Sequence, residues 1–102
     1  MKAARKNARL NRAEITVSPR LIEGIRGRFT IVVANILAQD LKRLSAALKD
    51  KAAPGGALIL SGILREETGP VSEVFTGIGL KPDKSYTQGE WAALVFRKSG
   101  GR

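Results

Sequence analysis

The chain has 102 residues, and its 18 basic and 9 acidic side chains give a formal net charge of +9. A chain of this length forms one small domain at most. It contains no cysteine and no histidine, which excludes disulfides, Cys/His zinc sites, thiol nucleophiles and histidine-based catalytic triads. No apolar run approaches the ~20 residues that span a bilayer, so we expect no membrane partner.

The charge surplus permits two interpretations. A surplus this large often accompanies contact with nucleic acid, ribosomes or acidic membranes. The alternative is that it serves solubility, or that the chain is the exposed remainder of a larger and more neutral protein. None of the few aromatic residues is interleaved with a basic cluster, as a base-stacking platform would require. Charge alone therefore supports proximity to RNA-rich partners, and it identifies no particular partner.

The first 28 residues are predicted to form a helix, a short strand and a connection. Residues 2–12 are rich in alanine, lysine and arginine, which favour a helix. We interpret their basic side chains as a solvated helix face, and an organelle transit peptide is the alternative. Ile15, Thr16 and Val17 form a brief β-branched run.

A β-α-β unit is the clearest pattern in the chain. Residues 29–34 are apolar on both faces, as in the interior of a parallel sheet. Leucines at helical spacing over residues 37–48 predict a helix of about three turns. Residues 54–56 (Pro-Gly-Gly) end it, and residues 57–60 form a second strand that is apolar on both faces. The crossover between these parallel strands should be right-handed.

A second helix and a hairpin complete the pattern. An apolar stripe over residues 71–78 follows Gly69-Pro70 and predicts a helix. Two further strands, at residues 81–87 and 91–96, are joined so closely that they must be antiparallel. The expected class is α/β, with residues 29–98 as a β-α-β-α-β-β core. The expected sheet is mostly parallel with a C-terminal antiparallel hairpin, in the order 29–34, 57–61, 91–97, 81–87.

Candidate site residues lie where the two parallel strands end, because ligands of open parallel sheets bind there. Asn35 directly follows the first strand, and its amide can both donate and accept hydrogen bonds. It could hold a substrate amine or a cofactor carboxylate, or it could be a helix N-cap. Ser61 and Gly62 follow the second strand and form either part of a site or a plain turn. The carboxylates have no spacing that argues for a metal site, so none is expected.

Three stretches of the chain resemble the ribosomal-protein methyltransferase family. These are Val33–Ala38, Pro54–Leu64 and Gly89–Trp91 with Ala93–Lys98, while Ala4–Asn11 is similar to the helix after the second strand of that family's catalytic domain. The most specific parts are Ala-Asn-Ile-Leu and Leu-Ser-Gly-Ile-Leu at their mutual spacing. The resemblance covers residues 3–98, with departures at Thr30, where aspartate is common, and at Gly69-Pro70, which interrupts a helix.

This resemblance implies a fold and an activity. The family uses S-adenosylmethionine to methylate amino groups of the eleventh protein of the large ribosomal subunit, in the cytoplasm. The fold would be a partial Rossmann-like class I methyltransferase sheet, with strands 3 to 7 of the order 3-2-1-4-5-7-6. Residues 1–102 would then form a single incomplete domain without the glycine-rich cofactor loop. We expect this chain alone to be inactive and to bind no cofactor measurably.

The resemblance also assigns roles to individual residues. Asn35 would lie beside the reacting methyl group, and Asn35, Ile36 and Leu37 would contact the cofactor. Ser61 and Gly62 would lie on the substrate side of the pocket. Two other classes of function stay open: a basic ribosome- or RNA-associated binding module without catalysis, and a non-catalytic fragment that dimerises. A free sheet edge along residues 29–34 would be covered either by residues 15–17 or by self-association with a second chain.

Overall fold

The computed structural model describes residues 14–17, 25 and 27–100. In these ranges it contains five strands, three α-helices and one 3-10 turn. The predicted helix over residues 2–12 lies outside the described residues. The bounds of the elements are β1 Glu14–Val17, β2 Phe29–Asn35, α1 Ala38–Arg43, α2 Ser45–Lys51, β3 Ala52–Leu64, the 3-10 turn Arg65–Glu67, α3 Thr68–Gly77, β4 Lys81–Gln88 and β5 Trp91–Arg97.

The strands form one sheet in the order β1-β2-β3-β5-β4. β1, β2 and β3 are parallel neighbours, and β5 runs antiparallel to both β3 and β4. The predicted order and directions of the four core strands are confirmed. β1 pairs with the otherwise free edge of β2, so the first of the two expected ways of covering that edge is the one observed.

Two elements differ from their predicted bounds. The predicted three-turn helix is divided at Leu44, whose backbone (φ −99°, ψ 11°) lies between α1 and α2. β3 is much longer than the predicted residues 57–60, because the segment Ala53–Gly56 joins the strand instead of ending a helix in a free turn. Its backbone pairs with the end of the chain: the Gly55 amide donates to the Lys98 carbonyl at 2.9 Å, and the Lys98 amide donates to the Gly56 carbonyl at 3.0 Å.

All three helices pack on the same face of the sheet. On β2, β3 and β5 every second side chain is buried on that face, and these side chains join apolar residues of the helices in one core cluster. The rings of Phe75 in α3 and Phe96 in β5 stack within it, with centroids 5.6 Å apart. The opposite face carries Val33, Ile59 and Val95, which are only half-buried. We call it the open face.

Lys98 joins the end of the chain to the junction of α2 and β3. Its ammonium group donates to the carbonyl of Lys49 at 3.1 Å and to that of Ala52 at 2.9 Å. Burial lowers the pKa of this ammonium group, the nearby charges of Arg28 and Lys49 lower it further, and Asp50 opposes them. The Lys49 carbonyl at the end of α2 thus accepts from both the Ala52 amide and the Lys98 ammonium group.

Gly56 in β3 lies where the backbone leaves no room for a side chain. A Cβ atom there would lie 2.9 Å from the carbonyl oxygens of both Ala53 and Thr30, and 3.2 Å from that of Phe29. Because these are backbone atoms in a paired sheet, they cannot move aside without disturbing the pairing.

We expect the substitution Gly56→Ala to lower the free energy of unfolding by about 1–3 kcal/mol, the usual cost of overpacking. Urea unfolding followed by circular dichroism measures it. Gly77→Ala is the matched control, because no described atom lies within 4 Å of the added methyl group and alanine favours the last turn of α3. That variant should be neutral or stabilised by up to ~1 kcal/mol. Equal stabilities of the two variants would contradict the proposed crowding.

Candidate functional site

The carboxyl ends of β2 and β3 bring two of the predicted site residues together. Asn35 is the last residue of β2, and it is the direct register partner of Ser61 in β3. Alternation along the two strands places both side chains on the open face, with Val33 and Ile59. The side chain of Asn35 is exposed and that of Ser61 is half-buried. A polar pair therefore stands at the edge of the sheet where open α/β folds bind ligands.

The Asn35 side chain is not the cap of a helix. Helix α1 begins at Ala38, its N-cap position is Leu37, and no side chain caps it. Within the described part of the chain, the Asn35 amide group makes no hydrogen bond to another residue. Asn35 is therefore not the N-cap of α1, and no described residue occupies its donor and acceptor atoms.

Gly62 provides the space that the Asn35 side chain occupies. Its backbone has a φ of +79°, and a Cβ atom built there would lie 2.5 Å from Oδ1 of Asn35. The pairing of β3 with β5 shifts register between Leu60 and Ile63, so Gly62 lies in a β-bulge. Only a residue without a side chain combines this left-handed backbone with contact to the asparagine amide. The position of Asn35 depends on Gly62.

The other two predicted cofactor contacts lie elsewhere. Ile36 is 4% exposed and belongs to the core beneath the helices. Leu37 is 63% exposed and lines a separate groove of about 360 Å³ between the starts of α1 and α3. That groove also includes Glu66 and Pro70. The structure thus groups Asn35 with Ser61 and Gly62, while Ile36 and Leu37 face away from them.

Two aromatic side chains that sequence reasoning did not select lie next to this group. Tyr86 and Trp91 are 56% and 51% exposed, and they border a depression of about 290 Å³ that also includes Ser61 and Gly62. Their proximity depends on pairing, because Tyr86 lies opposite Ala93 across the hairpin, and Ala93 is two residues after Trp91. The only sequence signal was the presence of large aromatic residues on both sides of a short turn. We call this depression the aromatic pocket.

The hairpin tip that carries the pocket is fixed to the end of β3. The Arg65 backbone amide donates to the Glu90 carbonyl at 2.9 Å, and the Arg65 guanidinium donates to the Gly89 carbonyl at 3.3 Å. Trp91 also pairs with Leu64, the last residue of β3. These contacts hold Trp91 in a defined position relative to Ser61.

The acidic residues near the site have structural roles or stand apart. The Glu67 carboxylate accepts a hydrogen bond from the Leu64 amide at 2.9 Å, which caps the turn before α3. Across residues 14–17, 25 and 27–100 there is no cluster of three or more acidic side chains that could hold a metal ion. No described helix is long and apolar enough to cross a membrane.

Comparison with known proteins gives a consistent result. The family model described as ribosomal protein L11 methyltransferase (PrmA) matches residues 1–99. The ribosomal protein L11 methyltransferase of Geobacter metallireducens is 44% identical over 96 residues, which are 92% of this chain and 31% of that protein. The chain therefore spans about a third of the length of the curated relatives it matches.

Solved structures share the fold. The ribosomal protein L11 methylase of Lactobacillus delbrueckii subsp. bulgaricus superposes with a TM-score of 0.70 and 28% identity, over 76% of this chain and 41% of that chain. The N-methyltransferase NodS of Bradyrhizobium japonicum, solved with S-adenosyl-l-homocysteine, has a TM-score of 0.53 and 14% identity, over 72% of this chain and 48% of that chain. The latter likeness concerns the fold alone. With the four core strands in the expected order and a family model matched over nearly its whole length, the chain belongs to the ribosomal protein L11 methyltransferase family.

Proposed function

We propose that residues 1–102 are part of one S-adenosylmethionine-dependent methyltransferase domain that methylates amino groups of ribosomal protein L11 in the cytoplasm. The observation that carries this proposal is the Asn35 amide at the carboxyl end of β2, which contacts Gly62, lies beside Ser61 and makes no hydrogen bond within the described residues. The family membership supports the substrate and the cofactor. The edge of the sheet on which these residues lie is where open α/β sheets bind ligands.

The residues of the site fit the cofactor and an amine acceptor. S-adenosylmethionine, when bound, supplies a methyl group on positively charged sulfur, so no covalent intermediate on the protein is needed. Asn35 would hold the acceptor amine, because its Oδ1 can accept a hydrogen bond from an N–H group while the lone pair of the amine stays free. Ser61 would line the approach on the substrate side. Lysine acceptors must arrive neutral, and partial removal from water at this edge favours the neutral amine.

The distribution of charge favours this proposal over a nucleic-acid-binding module. Most described basic side chains are engaged within the chain, either in ion pairs with carboxylates or as donors to backbone carbonyls. These residues are Arg28, Arg43, Lys49, Lys51, Arg65, Arg97 and Lys98. The densest basic stretch of the sequence is residues 1–13, which contain five basic residues and no acidic one and lie outside the described residues.

The role of Asn35 can be tested in a chimera in which this chain replaces the matched 96-residue segment of the Geobacter metallireducens protein. Methylation of ribosomal protein L11 by the chimera is measured with radiolabelled S-adenosylmethionine. We expect Asn35→Ala to lower turnover about 10- to 100-fold, because the amine loses its alignment. The free energy of unfolding should change by less than ~0.5 kcal/mol, since the side chain is exposed.

Gln39→Ala is the control for Asn35→Ala. Gln39 is an exposed amide on α1 that lines the separate groove, so its removal should leave turnover unchanged. An active chimera in which Asn35→Ala retains full turnover would contradict the assigned role. A chimera that folds, binds S-adenosylmethionine and leaves L11 unmethylated would contradict the proposed function.

The dependence of Asn35 on Gly62 gives a second prediction in the same chimera. Gly62→Ala should destabilise the fold by about 1–2 kcal/mol through its left-handed backbone, and it should also lower turnover by displacing the asparagine amide. Gly27→Ala is the matched control, because Gly27 has a φ of +88° but no atom within 4 Å of an added methyl group. The two variants should lose similar stability, and only Gly62→Ala should lose activity. Equal turnover of both variants would show that Gly62 has no influence on Asn35.

Residues 1–102 by themselves should not bind S-adenosylmethionine measurably. They offer only the Asn35 and Ser61 side of the site, and loss of the other contacts costs several kcal/mol, which takes a micromolar ligand beyond the millimolar range. Isothermal titration calorimetry with the chain at high concentration tests this, with the chimera as the positive control. Saturable micromolar binding to the chain alone would show that the site is misplaced.

A further inference from the structure

Among the residues that the structure describes, the aromatic pocket has no charged residue in its lining. This is notable in a chain with 18 basic residues and a net charge of +9. The nearby Arg65 guanidinium is directed to the Gly89 carbonyl. The lining residues are Ser61, Gly62, Tyr86, Thr87, Gln88, Trp91, Ala92 and Ala93. An anionic ligand would therefore find no cation to bind in the pocket.

The arrangement of the two aromatic side chains suits a compact cation. Tyr86 lies opposite Ala93, and Trp91 precedes Ala93 by two residues on the same face, so the two rings stand diagonally around a small side chain. Both rings are about half exposed, which leaves ring surface accessible to a ligand. The electron-rich faces of tyrosine and tryptophan attract ammonium groups, and this attraction is the usual basis for recognising alkylated amines.

The pocket also adjoins the site of the proposed chemistry. Ser61 lines the pocket and is the register partner of Asn35. A side chain held between Tyr86 and Trp91 would therefore approach Asn35 along the open face. The depression of about 290 Å³ is at the small end of ligand pockets, which suits the end of one side chain.

We propose that the aromatic pocket binds the alkylammonium end of the acceptor side chain by cation–π contacts with Tyr86 and Trp91. The role of the pocket as an acceptor subsite rests on the proposed function. Its binding of alkylammonium ions does not, and can be tested on the 102-residue chain alone. The acceptor is held there as a cation; its ammonium group then transfers a proton to bulk water, which reaches the half-exposed rings, and the neutral amine moves on to Asn35. Binding should strengthen with methylation of the ammonium group, because methyl groups reduce its hydration and enlarge its contact with the rings.

Trp91 is the sole tryptophan of the chain, so its fluorescence reports directly on the pocket. The complete 102-residue chain is titrated with tetramethylammonium chloride, ammonium chloride and the neutral isostere 3,3-dimethylbutan-1-ol, at constant ionic strength set with sodium chloride. We expect a saturable change with tetramethylammonium, with a Kd on the order of 10 mM. Ammonium and the neutral alcohol should bind at least about 5-fold more weakly.

Variants of Tyr86 separate the aromatic ring from general apolar contact. Tyr86→Leu should weaken tetramethylammonium binding about 2- to 5-fold, and Tyr86→Phe, which keeps the ring, should stay within about 2-fold. Ile31→Ala is the control, because Ile31 is an exposed apolar residue at the other end of the open face and its loss should change nothing. Circular dichroism confirms that each variant is folded.

Three results would overturn the proposal. Equal affinities for tetramethylammonium and the neutral alcohol would show that the pocket does not recognise positive charge. Saturable binding of adenosine without binding of tetramethylammonium would show that the two rings stack on a planar base. The titrations extend to 200 mM, about 20-fold above the expected Kd. If no ligand causes a saturable change in that range, the depression is not a binding site. Because fluorescence is read on the chain and methylation on the chimera, failure of this proposal is distinguishable from failure of the proposed function.

Discussion

Burial of one face of the sheet beneath three helices determines where every other feature of this molecule lies. The alternating apolar residues of β2, β3 and β5 that point toward the helices are almost completely buried, and they form one continuous core with α1, α2 and α3. Each buried large side chain contributes roughly 1.5–3 kcal/mol, so this face supplies most of the driving force for folding. The opposite face need not be buried for the chain to fold. The candidate site and the aromatic pocket lie on it.

Most of the fold followed from periodicity in the sequence. The parallel strands were recognisable because both of their faces are apolar, and the hairpin was recognisable because only a short turn separates its strands. Patterns of this kind report which residues are buried, which is the quantity that sets the order of the sheet. The division of the first helix at Leu44 could not be predicted, since the leucine spacing continues through it without a glycine or a proline.

The length of β3 and the surroundings of Gly62 were not predicted, because both depend on pairing between residues that are distant in sequence. Pro54-Gly55-Gly56 has the composition of a turn, but pairing with Lys98, distant in sequence, draws it into the strand. Gly62 lies in an apolar run where a bulge was foreseeable in principle, because an isolated glycine in a strand often marks one. What could not be foreseen was its contact with Asn35, which depends on the register between two strands.

The proximity of three candidate site residues followed from the sequence, whereas their roles stay predictions. Strand ends identified Asn35, Ser61 and Gly62 as neighbours, because carboxyl ends of parallel strands meet at one edge. The family resemblance added Ile36 and Leu37 to this group, and the structure places Ile36 in the core and Leu37 in a separate groove. The part played by Tyr86 and Trp91 required knowledge of hairpin register, which the sequence does not contain.

The outer strand β4 has a consequence for how copies of this molecule can meet. All its side chains are exposed, it contains Pro82, and its pairing with β5 is interrupted between Pro82 and Lys84. A proline and a bulge on an edge strand leave no continuous ladder of free amides for another strand to join. Growth of an ordered chain of molecules by edge-to-edge pairing needs two open edges on each copy. Whatever lies beside β1, the blocked β4 edge limits such pairing to a closed dimer and prevents a fibre.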